Sequence, residues 1–334
     1  MRFFQYISIF ACIGLIGFYV YQNSPHYHII KGDIFGTNYN IKIKTKIKNK
    51  ELKDLIKQKL EAINSTMSVF KEDSEISKIN QNRTNSKITL SDDMSVVLKA
   101  ADKVYRQSSG WFDPTLEPLI ELWGFGKNKE LKNPNDKKVS QTLKNVGFNK
   151  LKFSSNYKRL NKTNKNVKLN LSAIAKGYAV DQIAKLLENQ GYNDYLVEIG
   201  GEIRTKGARS DTEDAWSIGI NRPIADNHDN IVVLSLSNMA VATSGNYRNF
   251  YEKDGKTYAH TISYKTGKPI INDTLSVSVF HDSCMYADAY ATAILAMGSK
   301  KGLDFANKHK LKVVIFDENF NLLTSNEAKH IFKD

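Results

Sequence analysis

Apolar residues along this chain recur with two different spacings. In residues 51–64, Leu52, Leu55, Ile56, Leu60 and Ile63 fall three or four positions apart, the period of a helix with one buried face. The stretch "SDDMSVVLKAADKVYRQSSG" (91–110) repeats that period, with Ser91 or Asp93 as cap and Gly110 as stop. A third helix is expected to open at Ser172. Ile174, Val180, Ile183, Leu186 and Leu187 mark its buried side, and Gly191 ends it. Strands are expected in "IFGTNYNIKIKTKI" (34–47), "DYLVEIGGEI" (194–203), "SIGINRP" (217–223), "IVVLSLS" (231–237) and "LSVSVF" (275–280). "YRNFYE" and "TYAHTIS" read as the arms of a hairpin turned at Asp254-Gly255. "KNKELKNPNDKK" (127–138) is polar and charged, as an exposed loop would be. A last helix, "MYADAYATAILAMG" (285–298), is apolar on nearly every side and is expected to be buried. Helices and strands alternate without a regular βαβ rhythm, so an α+β fold with mixed or antiparallel sheets and packed helices is expected.

The N-terminus breaks this pattern. Arg2 precedes an almost uninterrupted apolar run from Phe3 to Tyr21, about long enough to span a bilayer as a helix. No small-residue exit site follows it, which favours an uncleaved anchor over a removed signal. "IFAC" around Cys12 offers a degenerate lipidation signal, but Phe10 is bulky and the apolar run continues past the cysteine. The chain therefore divides into an anchor (1–24), a tether (25–33) and a globular domain (34–334), with the globular part exported.

The chain has 334 residues and a net charge of +13. That length allows one large domain with an ample core. Basic charge can mean nucleic acid, a membrane surface or an anionic substrate. Much of it lies in runs such as "IKIKTKIKNK" (41–50), where lysine alternates with apolar residues as on a half-exposed strand. No zinc-knuckle spacing, aromatic RNP-like strand or arginine-rich helix is present, so no nucleic-acid partner is expected. Cys12 and Cys284 are the two cysteines, and the position of Cys12 in the apolar run makes a structural disulfide an unfavourable reading.

Four stretches carry candidate chemistry. In "LNLSAIAKGYAVD" (169–181), Lys176 lies in the first turns of a helix, where the macrodipole opposes positive charge unless an anion is near. With free N–H groups it could cradle a phosphate, or simply reach into water. Gly200 and Gly201 read as a bulge or as a close approach to a flat ligand. Thr243, Ser244 and Gly245 before Arg248 suit either an anion-binding turn or a plain β-turn. Asp288 and Thr292 stand four residues apart, on one helix face. They are either a dipole-favoured carboxylate and a threonine bonded back to its own helix, or half of a hard-oxygen site of the kind that binds Mg²⁺.

Taken in order, "FGTNYNI" (35–41), "MSVFKEDSEISKIN" (67–80), "GWFDPTLEPLIELWGFG" (110–126), "LNLSAIAKGYAVD", "LVEIGGEIRTKG" (196–207), "VATSGNYRNFYEKDGKTYAHTISYKTGKP" (241–269) and "ADAYATAILAMG" (287–298) resemble successive blocks of the ApbE family, the FAD:protein FMN transferases. Seven blocks in sequence are far more specific than any one of them. The resemblance implies a T-fold-related, two-lobed domain. It implies FAD as substrate, Mg²⁺ as cofactor, and transfer of FMN to a serine or threonine hydroxyl of an acceptor protein with release of AMP. Acceptors would carry a Ser/Thr-Gly-Ala-Ser/Thr motif and belong to respiratory sodium pumps or related redox complexes. The location implied is the bacterial inner membrane, with the catalytic domain on its outer face. Metal ligands map to the Ala173 carbonyl, Asp288 and Thr292. Flavin-nucleotide contacts map to Phe35, Phe70, Trp111, Phe112, Asp113, Asn170, Lys176, Gly200, Gly201, Ser244 and Ile262. Catalytic roles fall to Lys176, Asp288 and His260, the last two being the candidate bases. Ser263 stands where the family usually has aspartate, Asn170 where aspartate is common, and Phe70 where tyrosine is frequent. The rival readings are an FAD pyrophosphatase, with water in place of the acceptor, and a membrane-anchored flavin-binding protein without catalysis.

Overall fold

The computed structural model describes residues 26–331, apart from 46–48, 84–85, 127–131, 211–214, 222, 224–230, 246–249, 254–255 and 260. The proposed anchor (1–24) therefore lies outside the described residues, as do Arg248 and His260. Among the described residues no helix is long and apolar enough to cross a membrane.

An eight-stranded sheet organises the chain. Its strands are β1 (Tyr27–Ile34), β2 (Thr37–Lys44), β6 (Tyr195–Ile199), β7 (Glu202–Lys206), β10 (Met239–Gly245), β13 (Thr274–His281), β14 (Lys312–Asp317) and β15 (Leu322–Thr324), in that spatial order. Every neighbouring pair is antiparallel. Residues 27–33, expected to be tether, instead form most of β1, because β2 needs a partner on its outer side. The lysines of β2 alternate as expected: Ile41 and Ile43 are fully buried while Lys42 and Lys44 stay partly exposed.

Both faces of the sheet are covered. Val197, Ala240, Ala242, Val277, Val279, Val313 and Ile315 point into the main core. That core is shared with the helices α1 (Lys50–Met67), α3 (Asp92–Gln107), α6 (Ala175–Asn189) and α7 (Cys284–Met297). The intervening Leu196, Val241, Phe280, Val314 and Phe316 point the other way. They meet Trp216, Ile218, Ile220, Leu234 and Leu236 of a two-stranded ribbon, β8 (Trp216–Asn221) and β9 (Ile231–Leu236). Burial on both faces explains why these strands read as continuous apolar runs. α8 (Ser299–Lys308) packs against α7 and β14.

Smaller elements complete the fold. α2 (Glu75–Gln81) follows α1. β3 (Ile88–Thr89), β4 (Leu151–Phe153) and β5 (Arg159–Lys162) make a three-stranded sheet. α4 (Glu117–Trp123) and α5 (Asp136–Leu143) enclose a small cluster of Leu119, Trp123, Val139, Val146 and Ile262. β11 (Phe250–Lys253) and β12 (Lys256–Ala259) form the expected hairpin.

Three expectations are corrected by local chemistry. The segment read as loop to residue 138 already turns helical at Asp136, where the Asn135 side chain caps the Lys138 N–H at 2.9 Å. The third helix begins at Ala175 and not at Ser172. Its flanking residue Ile174 is distorted (φ −151°, ψ −23°), and no side chain caps it. The strand expected over 194–203 is two strands. Gly200 and Gly201, with φ of +62° and +101°, form a two-residue hairpin loop of the kind that demands left-handed backbone at both positions.

Candidate active site

α7 is the element on which the site depends. It is buried on nearly all sides, packed between β10 and β13 of the sheet and α3, α6 and α8. Its N-terminus has no cap from its own flanking Ser283. Asp181 of α6 supplies it: that carboxylate accepts from Cys284 N at 3.0 Å, Met285 N at 3.0 Å and the Ser283 hydroxyl at 2.7 Å. Arg204 on β7 holds the same carboxylate at 2.6 Å.

Gly177 sets how closely α6 and α7 approach. A Cβ built there would lie 2.3 Å from the Cys284 carbonyl oxygen and 2.9 Å from Asp288 Cβ. Any side chain would push the helices apart. The closeness has a chemical result, because Gly177 N donates to Asp288 Oδ2 at 3.0 Å. As the third residue of α6, Gly177 has no carbonyl of its own helix to bond, and Asp288 supplies the acceptor. The Ala173 carbonyl, just before the helix, has no donor among the described residues. One turn further along α7, the Thr292 hydroxyl meets Ser244 of β10 at 3.2 Å rather than bonding back to its own helix.

Lys176 lies beside this junction. Its ammonium donates to Glu202 Oε1 at 2.7 Å, so the anion that offsets the unfavourable helix-end charge is a carboxylate of this chain. Burial alone works against the ammonium, but Glu202 and then Asp288 outweigh it, and the Lys176 pKa is raised. Burial raises both carboxylates; Glu202 is raised further by Asp288, while Lys176 and the Gly177 N–H pull Asp288 back. The second oxygen of Glu202 is buried with no hydrogen-bond partner among the described residues.

Other expected contact residues gather at the same end of the sheet. The Phe35-Gly36 turn between β1 and β2 lies beside the Gly200-Gly201 turn, since Gly200 N donates to Asn38 O at 3.0 Å. The β10–β13 and β10–β7 registers bring Ser244 to that end as well. Asn170 ties in the 110–117 segment through its N–H to Pro114 O at 2.7 Å and its amide to Glu117 at 2.6 Å. An aspartate at 170 would face the Glu117 carboxylate and repel it, so asparagine suits this chain. Trp111 meets Tyr264 edge-on, with ring centroids 5.6 Å apart, and Lys265 and Lys301 flank its ring at 5.2 and 5.0 Å.

Some expected residues are placed differently. Phe112 is buried in the main core and Ile262 in the small cluster, so each forms wall behind the surface. Asp113 is buried, and its Oδ1 accepts from Thr115 N and Oγ1; burial raises its pKa to about 6. Phe70 is exposed, and nothing among the described contacts joins it to Lys176 or Asp288. Ser263 caps a turn, accepting from Lys265 N and Thr266 N at 3.3 Å each. Sequence reading passed over Glu202, Asp181 and Arg204. A signal was present: Glu202 and Arg204 alternate on a strand whose neighbours are apolar on both faces, so they must find charged partners inside.

The oxygen donors fit a magnesium ion. Among the described residues the Ala173 carbonyl lacks a donor, Asp288 is a buried carboxylate bonded to the Gly177 N–H, and Thr292 adds a hydroxyl one turn further along α7. All are hard donors, the kind Mg²⁺ prefers.

The model of the ApbE family matches residues 35–315. This chain belongs to the ApbE family. A relative from Vibrio cholerae, named FAD:protein FMN transferase, is 36% identical over 307 residues, covering 90% of this chain and 91% of the relative. One of the same name from Haemophilus influenzae is 34% identical over 314 residues, covering 90% of each. The fold matches the solved structure of the flavin transferase ApbE from Vibrio cholerae with a TM-score of 0.85 at 33% identity, over 92% of this chain and all of that one.

Proposed function

We propose that this protein transfers FMN from FAD to a serine or threonine hydroxyl of an acceptor protein and releases AMP. Membership of the ApbE family and the relatives' shared name support the reaction. The observation that carries the site assignment is the Gly177 N–H bond to Asp288, which ties the buried carboxylate of α7 to the start of α6.

In this reading Ala173, Asp288 and Thr292 would hold Mg²⁺, which neutralises charge on the diphosphate when bound. Lys176 adds a cation at the start of α6, beside the metal ligands proposed for the diphosphate. The acceptor hydroxyl forms a bond to the FMN-side phosphorus. The bond from that phosphorus to the bridging oxygen breaks, and AMP departs with that oxygen. The hydroxyl proton passes to a base on this chain. The two candidates are His260, which lies outside the described residues, and Asp288. Trp111, a partly exposed aromatic, suits stacking on a flat ring.

The acceptor is proposed to be a redox-complex subunit bearing the Ser/Thr-Gly-Ala-Ser/Thr motif. The location is proposed as the bacterial inner membrane, held by residues 1–24, with the domain on the outer face. The test is incubation with FAD, Mg²⁺ and a candidate acceptor, followed by mass spectrometry of the acceptor. A gain of one FMN, with AMP formed in step, is expected. Release of FMN and AMP without any acceptor would point to hydrolysis instead.

A further inference from the structure

The carboxylate that the proposed reaction leaves unused is Glu202. It begins β7 directly after the glycine turn and is almost wholly buried, with a side chain only 3% exposed. Its strand register pairs it with Ile199. That residue faces the helices, so Glu202 points at the start of α6. Three charges result: Lys176, Glu202 and Asp288. Lys176 lies within electrostatic reach of both carboxylates, yet its hydrogen bond goes to Glu202 at 2.7 Å. Asp288 receives the neutral Gly177 N–H instead. The Lys176 side chain is 32% exposed, and a partly desolvated ammonium still favours a nearby carboxylate. Were Glu202 neutral, the ammonium's remaining anionic partner here would be Asp288.

We infer that Glu202 is a positioning residue that holds Lys176 off Asp288 and so keeps the Asp288 carboxylate available to a divalent cation. This rests on Asp288 being a cation ligand, as proposed above. It adds a reason for an otherwise costly feature, a buried carboxylate with one oxygen unpartnered among the described residues. The sequence separation is also accounted for. Lys176 and Asp288 come from adjoining helices brought into contact by Gly177, a closeness that would favour their direct pairing unless a competing anion drew the ammonium aside.

The experiment is Mn²⁺ binding to the full-length protein, followed by electron paramagnetic resonance without FAD or acceptor, with Mg²⁺ competition. Circular dichroism confirms folding for each variant. Wild type should bind and Asp288→Ala should not; binding retained in Asp288→Ala overturns the ligand assignment itself. Glu202→Gln, close in shape to the native residue, should weaken Mn²⁺ binding about tenfold or more, in the range seen when outer partners of metal ligands are changed. The double variant Glu202→Gln/Lys176→Met, which removes the ammonium as well, should recover affinity to within about threefold of wild type. Loss that persists in the double variant, or a Glu202→Gln protein that binds as wild type, overturns the positioning role while leaving Asp288 as ligand. If Glu202→Gln alone fails to fold, the double variant still decides. It buries two neutral groups in place of an ion pair, a change that structures tolerate. Weak binding in a folded double variant then counts against the proposal, and near-native binding supports it.

Discussion

Single residues at the site answer to burial more than to surface chemistry. Asp113 is the clearest instance: burial lifts its pKa from 3.8 to about 6, against the pull of the Thr115 hydrogen bonds. In that window the folded state holds a proton that the unfolded chain releases. Stability attributable to this group is therefore full below about pH 4 and is lost as pH rises towards 6, by up to about 3 kcal/mol. Asp113→Asn keeps an acceptor for the Thr115 N–H and has nothing to titrate. Denaturant unfolding at pH 4 and at pH 7 should show the gap between variant and wild type moving in the variant's favour at pH 7. A gap that does not move would mean the carboxyl ionises normally. Asn170 and Ser263, the two departures from the family's usual aspartates, are both engaged within this chain. One bonds Glu117 and the other caps a turn. Neither position retains a spare acid.

At the scale of elements, the start of α6 and the start of α7 form one unit. Gly177→Ala would drive a methyl into the Cys284 carbonyl, and the helices must separate to admit it. A loss of about 3 kcal/mol in unfolding free energy is expected. Transfer activity should fall further than stability alone explains, because Asp288 loses the Gly177 N–H. Calorimetry and an FMN-transfer assay on one preparation would check this, and an unchanged melting temperature would contradict the close approach. Asp181→Ala removes the borrowed cap of α7 and should cost about 2 kcal/mol. Asp181→Asn, which keeps an acceptor, should recover part of it by the same unfolding measurement. Helix α7 itself was legible from its unbroken apolar character. Its cap was not, because the capping carboxylate is about a hundred residues away in the chain.

For the whole molecule, the sheet and its two covers bury one core on each face of the sheet among the described residues. The proposed N-terminal anchor is tested on the full chain. The full chain should sediment with membranes and be extracted by detergent but not by high salt, since the proposed attachment is apolar and not ionic. Protease added to spheroplasts should digest the domain; protection there, with digestion only after lysis, would reverse the proposed orientation. Basic charge, at +13, would also support adsorption to anionic lipid, and the salt wash separates that from insertion.

Periodicity placed α1 and α3, and α7 followed from its all-round apolar character; in the main sheet β2, β6, β7 and β13 were expected while β1, β10, β14 and β15 were not. The order of seven motif blocks pointed to the family before any fold was known. Boundaries were less legible where one side chain decides them, as at Asn135 and Ile174. So was the double glycine, where a strand and a hairpin turn share the same local composition. What tertiary structure alone decided is who meets whom. Lys176 looked like a cation awaiting a ligand, and proved to be paired with Glu202. Asp288 and Thr292 shared a helix face by spacing, but the bond from the Gly177 N–H to Asp288 joins residues more than a hundred positions apart. Local sequence sets the period and the caps; pairings between buried charges arise only when separate elements are pressed together and water is excluded.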